Sequence, residues 1–404
     1  MQAASPAGNR TTWVKSVKAE TRFLIHIIIT YRCNLDCVYC YQRDHRDYED
    51  LDYDKAKTAL FEVLEGMDPS HKGIVRFFGG EPLLRFDLIS KLTADARSHW
   101  QKAQRAPENL CFGISTNGTL LNEQIKTWLS DNPDVSLTIS LDGTPRMHNT
   151  NRSGSFELVE PHLEFIKRYG VPVKMTISPY TIAGCAEGIR FINEQGLECQ
   201  ANIVFEDVWG DDQARMRHLQ TFSRELEKLV RYYADNPEIP RSTLFIPLTR
   251  QLPRPVNQKF LESFLCGITN NMVSIGLDGE KYACERTIPF HKDGSFKNFE
   301  LTRTQLKPEK CETCPLLPLC PECRACNFEY HQDANHKTTF HCEFLQLQLR
   351  ASALLLFEDI LRLRESGELQ KLDQEAQIAL MRELETATFI EEYTRPLNAQ
   401  IISN

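Results

Sequence analysis

The chain has 404 residues, 41% hydrophobic and 25% charged, enough apolar material for a substantial core and enough length for two or three domains. Its net charge is −8 with no long basic block, which disfavours nucleic-acid binding on the simplest electrostatic ground. No run of about 18 apolar residues occurs and Met1–Lys18 lacks an apolar signal core, so a reducing cytoplasm is expected, where fourteen cysteines read as metal ligands rather than cross-links.

Residues 1–22 form a polar extension. From Phe23 to about Asp235, short β-branched runs alternate with helical patterns. The spacing predicts strands at Phe23–Thr30, Ile74–Gly80, Cys111–Asn117, Ser136–Leu141, Val171–Ile177 and Gln200–Phe205. The clearest helices are expected at Asp54–Gly66, Asp87–Trp100, Phe156–Tyr169 and Gln213–Tyr233, where apolar residues recur every three or four positions. Six β/α units in series imply parallel strands with helices over one face, and six are too few for the closed eight-stranded barrel. The fold class is therefore α/β, a partial (β/α)6 TIM-like barrel over 23–235 with its active groups at the C-terminal strand ends. Five prolines between Pro237 and Pro255 break the periodicity. A cysteine-rich domain at 236–344 and a helical tail at 345–404 complete the chain. The tail's Leu354, Leu355, Leu356, Ile360 and Leu363 are expected to pack on the protein's own surface.

Cys33, Cys37 and Cys40 lie in a loop directly after the first strand, in the pattern C-x3-C-x2-C. Three local thiolates suit a [4Fe–4S] cluster with one iron left open, and an open iron can chelate a small molecule. A zinc knuckle is the competing reading, but its nearest fourth ligand, His45, has an odd spacing. The second strand ends in Phe78-Gly-Gly-Glu-Pro82, where glycines permit close backbone approach and a carboxylate can accept from an ammonium group. The third ends in Ser115-Thr-Asn-Gly118 and the fourth in Ser140-Leu-Asp-Gly143. Asn117 and Asp142 also suit simple turn caps.

With Tyr39 just before the third cysteine, this loop resembles the signature of the radical S-adenosylmethionine (radical SAM) enzymes. The resemblance implies that SAM binds the open iron and is reductively cleaved to a 5′-deoxyadenosyl radical that abstracts hydrogen from a substrate. It implies cofactor contacts from Tyr39, Gly79, Gly80, Glu81 and Asn117. The related peptide and sulfatase maturases add a serine at the position of Ser140 and an arginine twelve residues on, matched by Arg152, whose planar guanidinium can hold the SAM carboxylate bidentately.

The second cysteine region has Cys266, then Gly279 and Cys284, then Cys311-x2-Cys314-x5-Cys320-x2-Cys323-x2-Cys326, and finally Cys342. Eight thiolates can ligate two further [4Fe–4S] clusters. The run resembles the SPASM extension of radical SAM enzymes, from which it departs where two cysteines, 323 and 326, replace a single x3 interval. By that resemblance Cys311, Cys314, Cys320 and Cys342 hold an outer cluster. Cys266, Cys284 and one or both of Cys323 and Cys326 hold an inner one. Zinc ribbons also use such pairs, and His331, His336 and His341 lie nearby. Cys111, Cys185 and Cys199 read as small core residues.

The resemblance implies a precursor peptide or protein as substrate and reduced flavodoxin or ferredoxin as electron donor. Glu285, directly after Cys284, is the candidate catalytic base. The first functional reading is a peptide maturase installing a thioether, C–C or C–O crosslink or inverting a stereocentre. The second is a sulfatase maturase oxidising Cys or Ser to formylglycine. The third, of another class, is a non-catalytic zinc-binding scaffold, which would purify colourless.

Overall fold

The computed structural model describes residues 22–43, 50–249, 271–289, 307–320 and 323–403. Cys266 and His45 lie outside the described residues. The barrel runs through β1 (Arg22–Thr30), α1 (Tyr53–Gly66), β2 (Lys72–Gly79), α2 (Phe86–Lys102), β3 (Leu110–Thr116), α3 (Glu123–Asp131), β4 (Val135–Ser140) and α4 (Pro145–Asn151). It continues through α5 (Phe156–Val159), α6 (Leu163–Tyr169), β5 (Val173–Ile177), α7 (Cys185–Glu194), β6 (Cys199–Ile203) and α8 (Asp212–Asp235). All six expected strands are present. Helix starts are fixed by side-chain caps: Asp52 accepts from Lys55 N, Asn122 from Ile125 N and Asp211 from Ala214 N. The single helix expected over 156–169 is instead split into α5 and α6, because Pro161 has no N–H to donate and interrupts the ladder.

β1 to β6 pair in parallel, in the spatial order of the sequence, so each crossover helix lands on the same side. Ile25, Ile27, Val75, Phe77, Phe112, Leu137 and Met175 point to those helices and are essentially inaccessible. The sheet stays open at β6, giving the partial barrel. Its other edge is extended by β7 (Met272–Ile275), which pairs in parallel with β1, and then by β8 (Lys281–Tyr282), antiparallel to β7. These two strands come from the cysteine-rich region and were not legible as strands. They cover the β1 edge, which would otherwise present unpaired N–H and C=O groups. The turn between them carries Gly279 at φ +78°, where a Cβ would stand 2.4 Å from Lys55 Cβ, so the hairpin docks on the first turn of α1.

The remaining helices are α9 (Arg324–His331), α10 (Cys342–Glu365) and α11 (Gln374–Ser403). α10 packs along α8 and α11 along α10. Phe344 of α10 meets Trp209 at 4.6 Å and Phe222 at 5.7 Å between ring centroids. Leu355 and Leu363 are buried, so the apolar face of this segment does pack on the chain itself. Among the described residues no helix is long and apolar enough to cross a membrane.

Candidate functional site

The cysteine loop sits on the C-terminal ends of β1 to β4 and is fastened by backbone first. Gly80 N donates to Thr30 O at 2.8 Å and Glu81 N to Arg32 O at 2.9 Å. The approach is so close that a Cβ on Gly79 would fall 2.2 Å from Thr30 O and one on Gly80 2.3 Å from Arg32 O. Both glycines are therefore required by the contact between strand ends. Glu81 is wholly buried. Its Oε1 accepts from Leu83 N at 3.0 Å and Thr116 Oγ1 at 2.7 Å, and its Oε2 from Asn117 N at 2.7 Å. Burial raises its pKa against these donors. In this structure the carboxylate clamps the end of β2 to that of β3.

A second clamp joins the loop to β4. Asp142 is fully buried and accepts from Tyr39 OH at 2.5 Å, Asn151 Nδ2 at 3.1 Å and Thr176 N at 2.9 Å. Arg152 Nε lies 3.0 Å from Asp142 Oδ2, and its guanidinium stands 5.4 Å from the Tyr39 ring centroid. Burial works against the Arg152 charge, but Asp142, Tyr39 and Cys37 outweigh it and raise its pKa. Asp142 thus does far more than cap a turn. Ser140 closes β4 beside it and is half-buried.

Two of the three loop thiols, Cys33 and Cys37, receive donors. Leu35 N donates to Cys33 Sγ at 3.4 Å, Asn117 Nδ2 to the same sulfur at 4.0 Å, and Arg152 Nη1 to Cys37 Sγ at 3.8 Å. Burial pushes the Cys37 thiol up to about 11, Arg152 pulls it down, and Asp142, Cys40 and Cys33 push it up. N–H groups and a guanidinium aimed at clustered sulfurs are the donor set that anionic iron–sulfur ligands need. The residues present fit a SAM-binding cluster.

The second region separates into two groups of thiols. Cys284 packs with Ala325 and Cys323, and Cys326 N donates to Cys323 Sγ at 3.4 Å at the start of α9. Cys342, at the first turn of α10, feels the charges of Cys320 and Cys311, while Cys311 packs with Cys314. The structure thus groups 284, 323 and 326 apart from 311, 314, 320 and 342. Among the described residues, no three Cys, His, Asp or Glu side chains are gathered closely enough to chelate one ion. Cys185 and Cys199 are buried in the core, whereas Cys111 is only half-buried.

Between the two cysteine regions is a recess lined by Tyr31, Tyr41, Gln42, Glu285, Arg286 and Glu329. Tyr41 lies within electrostatic range of both Cys40 and Cys284. Glu285 Oε2 is 2.8 Å from His26 Nδ1, and Ser274 Oγ donates to it at 3.4 Å. Burial alone would raise the Glu285 pKa, yet these partners bring it below its ordinary value, so the carboxylate is ionised. Arg286 bonds Glu206 at 2.7 Å and Glu329 at 2.7 Å and stands 4.9 Å from the Tyr41 ring. His26, Tyr41 and Arg286 were missed in the sequence. Arg286 lies two residues after a candidate ligand, but His26 looks like any strand residue until the β7–β8 hairpin pairs with β1 and the turn after it places Glu285 against the ring.

Residues 27–184 match the family model of the radical SAM superfamily. The chain is 32% identical over 156 residues to a GTP 3′,8-cyclase of Clostridium perfringens, a match covering 37% of this chain and 45% of that protein. It is 30% identical over 151 residues to a cysteine-type anaerobic sulfatase-maturating enzyme of the same organism, covering 34% and 39%. The chain thus spans less than half the length of these two relatives. In structure it is similar to anSMEcpe with bound AdoMet and the Cp18Cys peptide, with a TM-score of 0.63 at 20% identity over 84% of this chain and 99% of that one. It is also similar to SuiB of Streptococcus suis bound to the precursor peptide SuiA, with a TM-score of 0.53 at 15% identity over 78% and 75%. These structural likenesses establish the fold.

The chain therefore contains a radical SAM domain on a partial barrel, and that superfamily is one of enzymes. The sequence relatives include both a nucleotide cyclase and a protein maturase, so the domain alone leaves the substrate open.

Proposed function

We propose that the protein is a radical SAM peptide maturase that removes hydrogen from a ribosomal peptide and installs a thioether, C–C or C–O crosslink. A cluster at Cys33, Cys37 and Cys40 would supply the electron that cleaves SAM to the 5′-deoxyadenosyl radical. Arg152 would bind the SAM carboxylate, Gly79 and Gly80 would allow its approach, and Tyr39, Glu81, Asn117 and Ser140 would complete that pocket. Cys311, Cys314, Cys320 and Cys342 would hold an outer auxiliary cluster, and Cys266, Cys284 and one or both of Cys323 and Cys326 would serve an inner one. The domains would be the barrel at 23–235, the auxiliary region at 236–344 and the tail at 345–404. A reduced flavodoxin or ferredoxin in the cytoplasm would be the donor.

The observation that carries this reading is the recess between the two cysteine regions, with ionised Glu285 held by His26 at 2.8 Å. A buried carboxylate there can take the proton that leaves the substrate as its radical is oxidised, so hydrogen atom, electron and proton each have a destination. Solved neighbours with bound peptides support a peptide substrate. A second reading, formylglycine formation, is favoured by the 30% identity to a sulfatase-maturating enzyme.

The test is co-expression with candidate peptides followed by mass spectrometry. Loss of two hydrogens with no new aldehyde supports crosslinking, whereas an aldehyde formed with exchange of cysteine sulfur for oxygen and loss of two hydrogens, or with loss of two hydrogens from serine, supports formylglycine. Zinc in place of iron and sulfide, with no deoxyadenosine released under dithionite, would return the chain to the scaffold reading.

A further inference from the structure

Lys337 is a buried lysine, 5% exposed, whose ammonium donates to Cys320 Sγ at 3.3 Å. Among the described residues no carboxylate forms an ion pair with it. Ordinary lysines leave such places for water, since an unpaired buried ammonium is costly. Among the described residues, its ammonium's hydrogen-bond partner is a sulfur of the outer thiol group.

We propose that Lys337 makes the outer auxiliary site the easier of the two to reduce. The inference rests on the reading that both thiol groups hold [4Fe–4S] clusters. Hydrogen bonds to ligand sulfurs and nearby positive charge stabilise the reduced, more negative state and raise the potential.

The inner group has a cation too, since Arg286 lies near Cys323 and Cys326. That guanidinium, however, is bonded to both Glu206 and Glu329, each at 2.7 Å, and ionised Glu285 stands beside it. Among the described residues Arg286 is thus compensated by its two bonded carboxylates, while Glu285 has His26 and Lys174 acting on it. Around the outer group, Glu343 and Lys310 act on Cys342 in opposite directions, and among the described residues no carboxylate is paired with Lys337, which donates to Cys320. Tyr393 of α11 lies within electrostatic range of Cys314 and Cys342. With this ordering, one electron reaching the inner site passes outward: the inner site is reoxidised as the outer is reduced, with no bond made and no proton moved.

Midpoint potentials measured by spectroscopic redox titration of the anaerobically reconstituted full chain test this. The outer signal is the one abolished by Cys342→Ala. In wild type the outer midpoint should exceed the inner. Lys337→Gln should lower the outer midpoint and leave the inner one in place, and Lys337→Arg should restore most of the difference. Glu329→Gln, which unmasks Arg286, should raise the inner midpoint and narrow the gap, a prediction that stands even if Lys337→Gln does not fold. An outer midpoint unmoved in Lys337→Gln, or an inner midpoint above the outer in wild type, overturns the inference while leaving the proposed function intact. A wild-type protein well short of about twelve irons per chain after reconstitution, the content of three such clusters, overturns both.

Discussion

The Tyr39 hydroxyl donates to Asp142 Oδ2 at 2.5 Å, so the residue before the third loop cysteine is tied to the end of β4, more than a hundred positions away. Asp142 also neutralises Arg152, which reaches Cys37. Removing the acid strands a buried guanidinium, whereas removing the phenol deletes only one donor of several. Asp142→Asn should therefore cost on the order of 3–5 kcal/mol, the range for breaking a buried pair from one side. Tyr39→Phe should cost about 1.5–3 kcal/mol. Urea unfolding of both variants checks the ranking, and equal losses would mean that Asp142 is not the hub.

Gly80 lies against the backbone of Tyr31 and Arg32, and the demand this makes can be measured without SAM. A methyl group there meets Arg32 O at 2.3 Å and Tyr31 O at 2.6 Å, neither of which can move without dislodging the cysteine loop. Gly170, at φ +72° with nothing within 4 Å, is the control for backbone strain alone. Gly170→Ala should lose about 1 kcal/mol. Gly80→Ala should lose far more and fail to retain iron at the loop. Thermal unfolding with iron analysis checks this, and a Gly80→Ala protein with full iron and near-normal stability is the contrary result.

The barrel was legible because its signals are local. β1 to β6 are short β-branched runs separated by amphipathic helices, and period alone identifies both. The split between α5 and α6 required noticing that Pro161 interrupts an otherwise good helical pattern. The cysteines stood out by their spacing and their division into groups came only from the resemblance, but the side chains that support them were not legible. Lys337 meets Cys320 across 17 positions, His26 meets Glu285 across 259, and neither has a local signature. β7 and β8 are four and two residues long, too short for periodicity to announce. What made them strands is the open edge of β1, a tertiary fact.

On the proposal that the auxiliary thiols hold clusters, their grouping predicts which cysteine controls which one. Cys314→Ala and Cys342→Ala should both abolish the outer signal and leave the loop cluster intact. Cys323 and Cys326 share the start of α9 with Cys284 close by, so their alanine variants should instead affect the inner signal. Iron and sulfide analysis with low-temperature paramagnetic resonance on each variant decides the matter. Loss of the outer signal in Cys323→Ala would mean that this cysteine had been given to the wrong group.

His148 sets an acid limit on stability. It is fully buried on α4, its Nδ1 accepts from Asp142 N at 3.2 Å, and its Nε2 faces Ser155 Oγ at 3.1 Å, an arrangement that needs the neutral ring. Burial lowers its pKa from 6.5 to about 4, with Asp142 opposing and Arg152 assisting. Because the folded value is the lower, the unfolded chain takes up the proton first as pH falls through 6.5. Stability is therefore present above that pH and drains away towards pH 4, on the order of 3 kcal/mol in all. His148→Asn keeps an acceptor for Asp142 N but does not titrate, so its unfolding free energy should fall less steeply between pH 6.5 and 4.5. Denaturant unfolding of the two proteins across that interval provides the comparison, and parallel curves would show that His148 contributes nothing to the acid sensitivity.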